Sequence, residues 1–236
     1  MYGLLRHTIK VTVWLILLVG SAQLSAQQLN MPNYWSKKKL HFGFTLGANN
    51  NDFKIRLDNE FLNIDTLHSI SVRRFPGFVL GGIADFSFAE NFNLRALPSI
   101  AFAQRNLVYK FTNSRSNREV KIESVYLEIP LLVKYRTRRF GNYGFYVTGG
   151  FKYSYDLASN IDAQRSLADP VVAVQPHTFS YELGAGFDIY FPFFKLSPEL
   201  KLTNGISNAL VKDGYVYTES MNGLWSRIVN FSFHFE

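Results

Sequence analysis

The 236-residue chain contains no cysteine. That excludes a lipid anchor on a cysteine, disulfides, thiolate metal sites and a cysteine nucleophile. Beyond residue 26 no stretch is apolar enough for a transmembrane helix, and no helical hydrophobic period interrupts the chain. The cations form no continuous basic face. Apart from Lys37-Lys38-Lys39 and Arg136/Arg138/Arg139 they are dispersed, so nucleic acid is a poor fit. No pair of histidines has metal-ligand spacing, and no serine sits in a nucleophile motif. His41 falls on a strand, His68 and His177 in loops and His234 near the end. These gaps predict no catalytic residue, no metal, no cofactor and no small-molecule substrate.

The first residues set the compartment. Arg6 and Lys10 form a basic start, Val11 to Gly20 (VTVWLILLVG) is a short apolar run, and Ser21 to Ala26 is rich in small residues. The run is too short to span a bilayer, so residues 1–26 read as a secretory signal cut after Ala26. Removing it takes two cations and no anions, which lowers the net charge from +7 to +5.

Alternation of period two is what the rest of the chain does contain. In Ser124 to Tyr135 (SVYLEIPLLVKY), Val125, Leu127, Ile129, Leu131, Val133 and Tyr135 share one face. Tyr126, Glu128, Pro130, Leu132 and Lys134 share the other. Similar stretches begin at Leu40, Gly77, Phe92, Tyr143, Thr178, Lys195 and Leu224, giving eight strands. Their connections alternate in length. Asp58 to Arg74, Thr112 to Arg118, Leu157 to His177 and Ser207 to Asn222 are long; Ala89-Glu90-Asn91, Arg136 to Asn142 and Pro192-Phe193-Phe194 are short. An even strand number, an outward apolar face and segregated loop lengths predict an all-β, eight-stranded antiparallel outer-membrane barrel over residues 39–236. Both termini are then periplasmic. Residues 27–38 are a non-periodic periplasmic lead-in. The aromatic content of 16%, mostly Tyr and Phe, suits two membrane interfaces.

Inward positions carry both charge signs. Arg95, Arg105, Glu128, Lys134, Glu182, Asp188, Glu199 and Lys201 form the expected lumen network, with Lys152 and Tyr126 on the same face. Glu128 with Lys134 or Arg95 is the pairing the sequence suggests. Inward glycines (Gly43, Gly47, Gly81, Gly150, Gly184 and Gly186) leave room for long side chains opposite. Eight strands give an interior that side chains can fill. Pro98, Pro130 and Pro198 lie inside strands, and each predicts a bulge or a local break in pairing. Tyr34, Trp35, Lys37, Lys38, Lys39, Arg136, Arg138 and Arg139 form a basic, aromatic rim suited to lipid headgroups or to docking a periplasmic partner.

The segment YLEIPLLVKYRTRRFGNYGFYVTGG, Tyr126 to Gly150, resembles the small porin-like outer-membrane β-barrel family. NYWSKKKLHFGFTLGANNNDFKI, Asn33 to Ile55, and the ending SRIVNFSFHFE are similar to PorT-type proteins, an outer-membrane component of the type IX secretion system. The resemblance implies a non-enzymatic accessory barrel needed for protein export, and for gliding where that occurs. Its partners would be outer-membrane lipid and other membrane or periplasmic secretion proteins. A structural or adhesion barrel working through its loops is the alternative, with a lipid- or peptide-modifying enzyme behind it.

Overall fold

Alternating side chains fix the architecture, because a strand that puts apolar groups outward and polar groups inward can bury the polar ones only by closing on itself. In the computed structural model, residues 29–57, 67–111, 118–159, 174–211 and 221–236 are described. The signal expected at 1–26 and the central parts of the long connections lie outside them. One turn of helix, α1 (Tyr34–Lys37), precedes ten strand segments. These are β1 (Leu40–Leu57), β2 (Leu67–Arg74), β3 (Pro76–Ser87), β4 (Phe92–Ala96), β5 (Ser99–Phe111), β6 (Arg118–Arg136), β7 (Tyr143–Asp156), β8 (His177–Tyr190), β9 (Lys195–Gly205) and β10 (Met221–Phe235).

Two breaks are minor, and they reduce the ten segments to a ring of 8 antiparallel staves. Phe75 separates β2 from β3, and Leu97-Pro98 separates β4 from β5. The ring closes where β1 pairs with β10 on one side, Phe44 opposite Phe235, and with β3 on the other, Leu46 opposite Leu80. Outward positions carry the apolar belt, among them Phe42, Phe145, Phe151 and Leu183. Apolar groups facing outward cost nothing in hydrocarbon, while pairing of each stave with both neighbours satisfies the backbone within the ring.

Three features depart from the sequence reading. The stretch Asp58 to Arg74 is not all loop: Leu67–Arg74 is strand, paired with β5 from Leu67 opposite Phe111 to Arg74 opposite Arg105. Hydropathy does not mark it, since it lies beyond the apolar belt and needs no greasy face. The prolines introduce no bulge; of the two expected outcomes it is the local break in pairing that occurs, at Pro98 and at Pro198. Across the Leu97-Pro98 gap the pairing of β6 resumes in the same register, from Ala96 opposite Leu131 to Ser99 opposite Glu128. Leu97 instead donates to the Pro130 carbonyl at 3.2 Å, so two prolines on neighbouring staves share one weak point. At Pro198 the β8–β9 ladder skips from Gly186 opposite Glu199 to Ile189 opposite Leu196, again without a shift. The third concerns the ion pairs of the lumen and is given with that network below.

Two glycines are required by geometry. Gly141, in the short β6–β7 connection, has φ +59°, where a side chain would be strained. Gly186 lies opposite Tyr146, and a Cβ there would come within 2.6 Å of the Tyr146 ring and 2.5 Å of the Pro198 carbonyl. Its bare backbone leaves the space into which that aromatic ring folds.

Candidate functional site: a sealed lumen and its two rims

The eight predicted lumen residues are all buried: Arg95, Arg105, Glu128, Lys134, Glu182, Asp188, Glu199 and Lys201. They do not form one chain of pairs, because side chains at different heights along the strands cannot meet. Near the short-turn end, Arg95 is fully enclosed and donates from Nε and Nη2 to Asp85 Oδ2 at 2.9 and 2.7 Å. Its Nη2 also donates to Glu236 Oε1 at 2.8 Å, and Nη1 lies 3.6 Å from Glu199 Oε2. Lys195 Nζ donates to Glu236 Oε2 at 2.9 Å. Lys134 Nζ donates to both oxygens of Asp188, at 3.0 and 3.1 Å, and Ser197 Oγ donates to the same carboxylate. The Tyr146 ring covers Lys134 Nζ at 3.7 Å.

A second tier lies further along the strands. Lys152 Nζ donates to Glu128 Oε1 at 2.7 Å and sits 3.3 Å from Glu182 Oε1. Lys201 Nζ lies 3.1 Å from Glu182 Oε2, and Thr203 Oγ1 donates to Glu182 Oε1 at 2.7 Å. The suggested pairing of Glu128 with Lys134 or Arg95 is therefore replaced by Glu128 with Lys152. Glu128 and Lys134 are six residues apart on one strand, a rise of roughly 20 Å, which their side chains cannot bridge. Each carboxylate is matched at its own height, so the Coulomb attraction offsets the desolvation of both partners. Where the tiers end, Arg105 stacks over Phe53 (4.2 Å) and Tyr126 (5.5 Å). Its Nη1 donates to the Tyr126 hydroxyl at 3.3 Å, but Nε and Nη2 have no hydrogen-bond partner among the described residues.

Asp85, Lys195, Glu236, His234 and Tyr146 belong to the network and were not singled out from the sequence. The phase of the alternation held the signal. Asp85 shares a face with Gly81, and Glu236 falls on the face opposite Phe231, Phe233 and Phe235. Beside Arg105, Tyr126, Glu128 and Lys152 lies a cavity of about 10 Å³, roughly the volume one water needs. Among the described residues no group of three or more His, Asp or Glu side chains could hold a metal ion.

The lead-in closes the short-turn mouth. Asn30 donates from its backbone to Asn142 Oδ1 (2.8 Å) and from Nδ2 to the Tyr190 carbonyl (3.0 Å). Arg139 donates to the carbonyls of Met31 (2.8 Å) and Asn30 (2.6 Å). Trp35 Nε1 donates to the Tyr190 hydroxyl at 2.8 Å, and its ring lies 4.3 Å from both the Arg136 guanidinium and Lys195 Nζ. Tyr34 stacks on His41 at 4.1 Å. Burial, reinforced by the Glu236 and Asp85 charges, pushes the Tyr34 phenol well above its ordinary pKa, so it sits in the mouth as a neutral group. Of the predicted rim, Tyr34, Trp35, Arg136 and Arg139 thus engage the barrel's own mouth. Lys38, Lys39 and Arg138 are exposed, as are the rings of Phe140 and Phe193 in the short connections at the same end; the Lys37 side chain lies outside the described part.

The family comparison agrees with this architecture. The family model for the outer membrane protein β-barrel domain matches residues 22–211. No curated protein sequence matches the chain. Among solved structures, the outer membrane protein OprG from Pseudomonas aeruginosa is similar at 15% identity and TM-score 0.43, over 83% of this chain and 91% of that one. The attachment invasion locus protein Ail of Yersinia pestis, in complex with the heparin analogue sucrose octasulfate, is similar at 13% identity and TM-score 0.37, over 84% and 99%. The N-terminal β-barrel domain of Pseudomonas aeruginosa OprF is similar at 12% identity and TM-score 0.35, over 81% and 96%.

Proposed function

The chain belongs to the outer-membrane protein β-barrel domain family and resides in the outer membrane, and on that premise we propose that it is a non-enzymatic accessory barrel of type IX protein secretion. The observation that carries the accessory role is the sealed lumen. Two tiers of buried ion pairs fill it, and the Asn30 to Trp35 segment closes one mouth. A barrel filled in this way conducts no folded protein, so it acts through its surfaces. Assignment to type IX secretion rests on the PorT-like segments Asn33 to Ile55 and Ser226 to Glu236.

The termini and short turns face the periplasm in this reading, and the docking handle is the exposed part of the rim: Lys38, Lys39 and Arg138 with Phe140 and Phe193. Exposed cations and aromatics at one end of the barrel suit a protein partner just outside the membrane. Deleting the gene should trap type IX cargo in the periplasm while general outer-membrane integrity stays near normal. Normal cargo export in the deletion strain overturns the proposal. Lys38→Ser, Lys39→Ser and Arg138→Ser together should leave insertion intact and weaken export; full export in that variant overturns the choice of rim alone. Orientation is tested separately. The natural chain has no cysteine, so Ser207→Cys should react with an impermeant maleimide on intact cells and Asn91→Cys should not.

A further inference from the structure

On the outer wall, toward the end that carries the long connections, β1, β8, β9 and β10 form a cleft of about 700 Å³. Its cations are Lys54, Arg56 and Arg227, and its aromatic groups are Tyr181 and Trp225. No carboxylate lines it among the described residues. Asp52, opposite Arg227 in the ladder, is engaged elsewhere: Arg74 Nη2 lies 2.7 Å from its Oδ2.

Register brings the three cations together. Lys54 is opposite Trp225, so Arg227 is its diagonal neighbour on the same face, a separation of about 7–8 Å. Arg56 follows Lys54 on that face after one period, about 7 Å on. Such spacing suits several oxygens of one polyanionic headgroup, and like charges this close repel unless an anion sits among them. Toward the membrane centre the same strands expose Leu183, Leu202 and Val229. The cleft therefore stands where the hydrocarbon belt gives way to headgroups.

We infer that this cleft binds a phosphorylated glycolipid of the outer leaflet, with its acyl chains along Leu183, Leu202 and Val229 and its phosphates on Lys54, Arg56 and Arg227. A zwitterionic phospholipid brings no net charge to three cations. A phosphorylated sugar headgroup brings the charge, and sugar C–H faces for the Trp225 and Tyr181 rings. The inference rests on the orientation proposed above, which maleimide labelling tests independently; it does not depend on the secretion role.

The test uses the full mature barrel in nanodiscs, with diphosphorylated lipid A as the probe and native mass spectrometry as the readout. Wild type should retain lipid A, and raising salt should release it. Lys54→Ser/Arg56→Ser/Arg227→Ser should bind at least about tenfold more weakly, while still showing the heat-dependent gel shift of a folded barrel. Arg227→Lys alone, with the charge kept, should bind more tightly than the triple variant, and Lys38→Ser/Lys39→Ser, at the other rim, should bind like wild type. Undiminished binding by the triple variant overturns the inference. So does equal retention of dephosphorylated lipid A. Inorganic phosphate that binds as tightly as lipid A would overturn the lipid as ligand. Should the triple variant fail to fold, the phosphate and dephosphorylated-lipid comparisons on wild type still decide.

Discussion

Two buried arginines show how much a partner matters. Arg95 is enclosed with Asp85 at 2.7 Å and Glu236 at 2.8 Å. Arg95→Met leaves Asp85 buried without its cation and Glu236 with Lys195 alone, and breaking such a pair costs about 3–5 kcal/mol. Arg105 is as deeply buried, but two of its nitrogens are unpartnered and its support is the rings of Phe53 and Tyr126. A desolvated cation–π contact contributes about 2 kcal/mol, against a desolvation penalty of several kcal/mol for an ion. Desolvation wins, so Arg105→Met should leave stability unchanged or raise it. Urea unfolding of both variants in lipid checks the contrast. Equal losses would show that Arg105 has a counter-charge the structure does not place near it.

At the scale of the element, the lead-in is a plug held by a few specific bonds. The β-strands need nothing from it, since their ladders are complete without it. Trp35→Ala removes the bond to Tyr190 and the ring that lies over Lys195 and Arg136. Combined with Arg139→Ala, which frees the carbonyls of Asn30 and Met31, it should loosen the plug and leave the barrel folded. Protease added on the short-turn side should then cut near residues 29–38 many times faster than in wild type, with the heat-dependent gel shift unchanged. Loss of that shift would show that the plug is part of the folding unit.

The whole molecule is a closed ring with an apolar exterior and a charged, filled interior. It should fold only in detergent or lipid, be rich in β-structure and migrate differently on gels before and after boiling. Because two tiers of buried ion pairs occupy the lumen, planar bilayers holding the wild type should show negligible conductance. Large, stable channel currents would mean that the lumen opens and that the proposed accessory role is wrong. Recovery as a soluble helical monomer would contradict the fold itself.

The sequence by itself determined the staves, their inward and outward faces and the closure into a ring, because period two and loop length are local properties of the chain. Val125 to Tyr135 and Phe179 to Ile189 needed no partner to declare their lipid face. The inward set from Arg95 to Lys201 was legible for the same reason. Pairing was not. Glu128 with Lys152, Arg95 with Asp85 and Glu236, and Lys134 with Asp188 depend on register, which sets the height of each side chain. β2 was hidden because it lies where no greasy face is needed. The plug was hidden too, since Asn30, Tyr34 and Trp35 carry no period and take their meaning from Tyr190, Asn142 and Arg139, more than a hundred residues away. Only the closed ring brings those groups to one mouth.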